Sequence, residues 1–192
     1  MPKPNVREQI VATGLHLLHG KGFNATSVQD ITEAAGVPKG SFYNHFASKE
    51  VLGAEVMQRY AEQAGQLQAN LLDGDGAPLK RLRRYFTRLI ELNAESNFAC
   101  GCLLGNFSTE LSAQSDLIRE QVDLSFAHWY ARLAEVIAEA QQDGSVANDV
   151  PARELAAFIV NAWQGAVLRS KSARNRAPLD LFLKLTLSRI LR

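Results

Sequence analysis

Hydrophobic residues recur at three- and four-residue steps along nearly the whole chain, which is the spacing of one face of an α-helix. No stretch alternates apolar and polar residues between turn signals in the way that a half-buried strand does. The stripe is clearest in the segment 116–142, where one face carries Ile118, Val122, Phe126, Trp129, Leu133 and Val136. The pattern therefore predicts an all-α protein.

Four helices are predicted in the first part of the chain, from about Pro4 to His19, through 26–34, from Pro38 to Phe46 and from Lys49 to about Leu72. The segment Gly20–Gly22 ends the first helix by supplying a positive φ. Thr26 and Gln29 have the hydroxyl and the amide of a capping box at the start of the second. Gly36 allows a tight turn before the third helix.

The run Asp73-Gly74-Asp75-Gly76 breaks the fourth helix and marks the expected hinge. Five further helices are predicted, at 78–96, 103–111, 116–142, 151–170 and 178–190. The last two are apolar around most of their circumference, so we expect each to bury one face in the core and another in a partner. The residues predicted for that dimer interface are Leu155, Ile159, Ala162, Ala166, Phe182, Leu183 and Ile190.

Composition and charge narrow the class of protein. The 192 residues are 46% hydrophobic, enough for a substantial core, and the net charge of +1 neither favours nor excludes a nucleic-acid partner. No apolar run is long enough to cross a bilayer, so we expect a cytoplasmic protein without a membrane partner. Cys100 and Cys102 are too close for an unstrained disulfide, which suits a reducing compartment.

Two short helices joined by a glycine-containing turn form the arrangement that presents a recognition helix to the major groove of DNA. Phe42 and Phe46, four residues apart, are predicted to point inward. The outward positions carry polar, aromatic and cationic groups suited to phosphates and base edges, namely Lys39, Ser41, Tyr43, Asn44 and His45. Thr26 is assigned a phosphate because a helix N-terminus offers free amide protons.

The segments GFNATSVQDI (22–31), AGVPKGSFYNHF (35–46) and SKE (48–50) resemble the signature of the TetR/AcrR transcriptional regulators. The resemblance implies a three-helix helix-turn-helix domain at residues 1–50, with a linking helix at 49–72. It also implies a larger helical domain at 51–192 that binds an effector and dimerises. A protein of this kind leaves its operator when a small molecule binds.

The resemblance also assigns roles to residues of the motif. It implies that Tyr43, His45 and Lys49 hold phosphates and that Lys39, Ser41 and Asn44 lie nearest the bases, with Gly40 in the same DNA-binding set. Asn44 stands where many members carry an aromatic residue, so the base preference is not carried over. The partners implied are double-stranded DNA with a palindromic operator and a second copy of the chain.

The two cysteines precede the predicted helix 103–111. Without a nearby histidine or a second cysteine pair they do not complete a metal site, and no metal or cofactor is predicted. Cys102 is then either a small packing residue or a reactive thiol at a helix start. The second interpretation gains support from the similarity of 37–50 and Gly101-Cys102-Leu103 to the NemR-type branch of the family, which implies electrophile sensing at Cys102, with Cys100 as a resolving partner or a bystander. The structural interpretation stays open beside it.

A non-covalent effector would need apolar walls with a few polar groups, and the middle helices supply these. The residues expected to line such a pocket are Phe86, Phe107, Phe126, Tyr130, Asn161, Trp163 and Gln164. An alternative function is a thiol-dependent enzyme with Cys102 as nucleophile, but His128 is the only histidine after the first module to serve as its base. The sequence therefore predicts a DNA-binding repressor, controlled by a small molecule or an electrophile, and not an enzyme.

Overall fold

The computed structural model describes residues 5–192, which form nine α-helices and one turn of π-helix, with no strand among them. The all-α fold class predicted from the sequence is confirmed. The helices are α1 (Val6–Lys21), α2 (Val28–Ala34), α3 (Lys39–Tyr43), α4 (Lys49–Leu72), α5 (Pro78–Glu95), α6 (Leu103–Leu111), α7 (Asp116–Gln142), α8 (Ala152–Ala173) and α9 (Ala177–Leu185), and the π turn is Thr186–Ile190. The predicted start of the first helix at Pro4 lies outside the described residues.

Most helix boundaries follow the signals in the sequence, and α4, α6 and α7 have the predicted limits. Helix α3 is shorter than the predicted 38–46, because the amides of His45 and Phe46 both donate to the carbonyl of Phe42 in a tight turn. Helix α8 continues to Ala173, since the left-handed conformation that ends it is adopted only at Arg174, with φ 52°. The last predicted helix gives way after Leu185 to the π turn.

The capping box of α2 lies one residue later than predicted. Ser27, not Thr26, is the N-cap, and its hydroxyl accepts the Asp30 amide at 3.0 Å while the Asp30 carboxylate accepts the Ser27 amide at 2.7 Å. The Ser27 hydroxyl also donates to the Asp30 carboxylate at 2.6 Å, and this bond, followed by the one from the Ser27 amide, holds the pKa of Asp30 below its ordinary value. Asp fills the place of Glu or Gln, so the S/T-x-x-E/Q pattern alone misplaces the cap.

The chain forms two compact units. The first unit holds the chain up to Gln63 together with Cys102–Ser125, and the second holds Ala64–Gly101 together with Phe126–Arg192. The predicted domain boundary at 50/51 stays a prediction. In the part of the chain that the structure describes, no helix combines the length and apolar character needed to span a membrane.

Each unit has its own buried core. In the first unit Phe42 and Phe46 are almost fully buried, as predicted from their spacing, and their ring centres lie 5.6 Å apart with the rings tilted by 42°. In the second unit the Trp163 ring lies 5.4 Å from that of Phe86 and 5.3 Å from that of Phe182. Aromatic side chains bury large areas, so these clusters fix the helices that carry them.

Candidate nucleic-acid interface and effector residues

Helices α2 and α3 form a helix-turn-helix within the first unit. Gly36, with φ 67°, makes the turn after α2, and the Val37 amide donates to the Thr32 carbonyl at 3.0 Å. The buried Phe42 side chain anchors α3 to the core of the first unit. The turn and the core together present the other side of α3 to the solvent.

The polar residues predicted to face outward lie on α3 and in the turn directly after it. Lys39, Gly40, Asn44 and His45 are exposed, and Tyr43 is 55% exposed. Ser41 is half-buried. A Cβ atom at Gly40 would meet no other atom of the chain within 4 Å, so packing does not require glycine there.

Thr26 does not have the position assigned to it. Its side chain is completely buried, and its hydroxyl donates to the Gly22 carbonyl at 2.7 Å. Since the adjacent Ser27 is the exposed N-cap of α2, a group approaching this helix end meets Ser27 and not the Thr26 hydroxyl. The motif identified the loop correctly but placed the helix start one residue too early.

Lys49, expected to hold a phosphate, is engaged with its own unit. Its Nζ donates to the carbonyls of Phe23 at 3.0 Å and Thr26 at 2.8 Å, and lies 4.2 Å from the centre of the Phe23 ring. Burial lowers the pKa of Lys49, against the opposing attraction of Glu110 and Asp30. An ammonium has three protons to donate, so the two carbonyls take most of its hydrogen-bonding capacity.

Sequence reasoning missed Glu110 on α6. One carboxylate oxygen accepts the backbone amide of Asn24 at 2.8 Å, and the other lies against Gly22. Next to it, the Phe107 ring meets the Phe23 ring edge-on at 5.8 Å. Phe107 is fully buried there, so it packs within the first unit and has little surface left for an effector.

Cys102 is the N-cap of α6 and is 8% exposed. The Tyr60 hydroxyl donates to its sulfur at 3.8 Å, and the Tyr60 ring meets the His19 ring edge-on at 5.5 Å. Both cysteines are thiols, and the half-buried Cys100 accepts Lys171 Nζ at its carbonyl at 3.3 Å. No motif or residue spacing indicated that Tyr60 would lie beside Cys102.

The other predicted effector residues lie in the second unit, and the structure brings some of them together. Tyr130 donates to the Asn161 side-chain oxygen at 3.2 Å and stacks on Phe126 with ring centres 6.0 Å apart. Trp163 is 2% exposed and belongs to the aromatic core, while Gln164 is half-buried. Trp163 therefore has little surface left for a ligand.

The predicted dimer interface requires a correction. Leu155, Ile159 and Phe182 are buried in the core of their own chain, so they have no surface to offer a partner. The half-buried members of the predicted set are Ala162, Ala166, Leu183 and Ile190. Large apolar side chains that are exposed on the same two helices are Phe158 (56%), Leu168 (68%), Leu181 (56%) and Leu185 (45%).

The chain is similar to known regulators over its whole length. The family model described as bacterial regulatory proteins, tetR family, matches residues 10–56, and that of the tetracyclin repressor-like C-terminal domain matches residues 78–186. The HTH-type transcriptional repressor DhaR of Mycobacterium sp. strain GP1 is 41% identical over 193 residues, covering 100% of this chain and 95% of DhaR. The repressor NemR of Escherichia coli K12 is 28% identical over 92% of this chain and 89% of NemR.

Comparison with solved structures also finds transcriptional regulators of the TetR family. The crystal structure of the regulatory protein TetR from Rhodobacter sphaeroides is 34% identical and superposes with a TM-score of 0.89, covering 94% of this chain and 96% of that protein. The family and these relatives are transcriptional regulators and not enzymes, and nothing among them supports a thiol-dependent enzyme. The chain belongs to the TetR family and is a DNA-binding transcriptional regulator.

Proposed function

We propose that this regulator is a cytoplasmic, homodimeric repressor that grips a palindromic operator with the outer face of α3 and releases it when an effector acts on the protein. The observation that carries the proposal is the exposure of Lys39 and Tyr43 on α3, and of Asn44 and His45 directly after it, on a segment anchored by the buried Phe42. Side chains on a fixed helix can meet base edges and phosphates in a defined register. The relatives DhaR and NemR are named as repressors.

In this proposal Tyr43 and His45 hold phosphates, and Lys39, Ser41 and Asn44 lie nearest the bases. Gly40 belongs to the same surface and lets the DNA approach the backbone of α3. Two such helices, one from each protomer, would enter successive major grooves about 34–36 Å apart. Lys49 supports this surface from behind, through its bonds to the loop before α2.

The dimer is proposed to form through α8 and α9. Phe158 and Leu168 lie ten residues apart on α8, and Leu181 and Leu185 lie one turn apart on α9, all exposed. A patch of large apolar side chains on neighbouring helices suits an isologous contact, in which both copies use the same surface. A palindromic operator requires that two-fold symmetry.

For the effector we propose a reactive electrophile that adds to Cys102. The Tyr60 hydroxyl next to the sulfur stabilises a developing thiolate by donating a hydrogen bond. The Tyr60 ring in turn contacts His19 on α1, so a change at the sulfur reaches the helix that packs against α2 and α3. In the proposed step the sulfur forms a bond to the electrophilic carbon of an activated double bond, and the thiol proton ends on the neighbouring carbon.

Replacing Lys39 tests the DNA surface, with Lys80→Ala as the matched control because Lys80 is an exposed lysine on α5 in the other unit. The operator is first selected by the wild-type protein from a randomised duplex library. We expect Lys39→Ala to weaken operator binding at least tenfold and Lys80→Ala to leave it within twofold, as measured by fluorescence anisotropy. A Lys39→Ala protein that binds as tightly as the wild type would contradict the assignment of α3.

A further inference from the structure

A carboxylate from α6 sets the shape of the loop that connects α1 to α2. One Glu110 oxygen accepts the Asn24 amide at 2.8 Å, although the two residues are 86 positions apart in the chain. The other oxygen lies where a side chain at Gly22 would be, 2.7 Å from an ideal Cβ position. Glu110 therefore touches the loop at two points on the same side.

The loop between these helices has little freedom once Glu110 is in place. Gly22 has φ 94°, and the Thr26 hydroxyl and amide return to the carbonyls of Gly22 and Phe23 at 2.7 Å and 3.2 Å. Ser27 then caps α2 directly. Only two residues separate Asn24 from the capping residue Ser27, so a shift of the Asn24 amide is passed on to the start of α2.

Lys49 holds the same loop by its carbonyls. Its Nζ donates to Phe23 and Thr26, and Glu110 attracts its positive charge across the loop. The loop is thus held by two charged side chains of opposite sign. Glu110 of α6 accepts from a loop amide, and Lys49 of α4 donates to two loop carbonyls. Hydrogen bonds to charged partners are roughly twice as strong as neutral ones.

We propose that Glu110 is a positioning residue for operator recognition: it fixes the loop Gly22–Thr26 and thereby the orientation in which α2 and α3 meet DNA. Glu110 itself lies on α6, outside the helix-turn-helix, and no contact with DNA is needed for this role. The inference rests on the proposed function, because it requires that α3 reads an operator. Its consequence is selective, since a misplaced recognition helix loses operator contacts before it loses attraction to phosphates in general.

The test compares Glu110→Ala and Glu110→Gln with Glu8→Gln. Glu8→Gln is the matched control because Glu8 pairs with Arg59 at 2.6 Å in the same unit, between α1 and α4, and both of its carboxylate oxygens accept from Arg59 rather than from the loop. For each variant we measure the dissociation constants for the selected operator and for a random duplex, and the amide resonance of Asn24 by ¹H–¹⁵N NMR. Urea unfolding reports the folded fraction of each.

We expect Glu110→Ala to lower operator affinity about tenfold while random-duplex affinity changes less than twofold, with a displaced Asn24 resonance. Glu110→Gln keeps an acceptor but loses the charge, so about a threefold loss is expected. Glu8→Gln should leave both affinities within twofold of the wild type. A general loss of folded protein would instead lower both affinities by one factor.

Three results would overturn the inference. The first is a folded Glu110→Ala protein that binds the operator with wild-type affinity. The second is a Glu110→Ala protein whose affinity falls by the same factor for the operator and for the random duplex. If Glu110→Ala does not fold, the third is a Glu110→Gln protein that binds the operator with wild-type affinity. A threefold loss of affinity in Glu110→Gln for the operator, and not for the random duplex, supports the role. A wild-type protein that selects no operator would refute the proposed function and not the placement of Glu110.

Discussion

Gly40 offers a way to separate DNA contact from stability. It lies in the first turn of α3, and a Cβ atom there would meet nothing of the chain within 4 Å. Ala is favoured over Gly in helices by roughly 0.5–1 kcal/mol, and the gain is smaller in a first turn. Gly40→Ala should therefore leave the free energy of unfolding unchanged or slightly raised. If the backbone of α3 closely approaches DNA, the same methyl group is placed in the interface.

The size of the effect on binding follows from overpacking. An extra methyl in a well-packed contact costs about 1–3 kcal/mol. Since 1.4 kcal/mol corresponds to a factor of ten, operator affinity should fall by roughly 5- to 150-fold. Both surfaces of the proposed dimer would carry the change, which doubles the cost, so the observed loss should be about 30-fold or more. Fluorescence anisotropy with the selected operator measures it, and thermal unfolding measures stability in the same buffer.

Gly65→Ala is the matched control for Gly40→Ala. Gly65 is exposed in the interior of α4, and a Cβ atom there would also meet nothing within 4 Å. We expect this variant to gain roughly 0.5–1 kcal/mol of stability and to bind the operator like the wild type. A folded, dimeric Gly40→Ala protein with wild-type affinity would refute the close approach of α3 to DNA. A large loss of stability in Gly40→Ala would refute the claim that its side-chain space is empty.

Two further predictions concern the dimer and the thiol. Leu168→Glu places a charge among the exposed apolar side chains of α8 and should convert the proposed dimer to a monomer in sedimentation. Leu124→Glu, at a 54% exposed leucine of α7, should leave the proposed dimer intact. A dimeric Leu168→Glu protein would place the interface elsewhere. N-ethylmaleimide should release DNA in step with the Cys102 adduct seen by mass spectrometry, and Cys102→Ser should abolish release while Cys100→Ser keeps it. Because Cys102 is only 8% exposed, its labelling should be slower than that of the half-buried Cys100. Release that follows the Cys100 adduct instead would exclude Cys102 as the sensor.

Local signals in the sequence predicted the helices well because helix ends depend on nearby residues. The limits of α4, α6 and α7 follow from caps, glycines and apolar spacing within a few positions. The same signals misplaced the cap of α2, since Thr26 and Ser27 are both hydroxyl residues at adjacent positions. The choice depends on the Gly22 carbonyl, which takes the Thr26 hydroxyl, and on Asp30, which completes the box with Ser27.

The proposed dimer surface depends on a choice between helix faces that apolar periodicity does not make. Helices α8 and α9 are apolar on several sides, so the pattern predicts two buried faces on each helix. It does not indicate which face packs in the core and which faces a partner. The aromatic cluster of Phe86, Trp163 and Phe182 takes one face for the core. Only this packing leaves Phe158 and Leu168 outside. Assigning a face to the partner therefore requires knowing which side chains the core has already used.

Lys49 is a motif residue whose predicted phosphate contact competes with hydrogen bonds inside its own unit. The family resemblance places a lysine at the start of α4, and the phosphate role was inferred from that position. In the structure its ammonium is held by two carbonyls of the loop before α2, opposite the carboxylate of Glu110. We expect removal of this charge to weaken operator binding even without a phosphate contact, because the loop would lose two hydrogen bonds. Loss of binding on mutation alone therefore does not separate a phosphate contact from support of the loop, whereas the salt dependence of binding does, since only a phosphate contact changes its slope by about one.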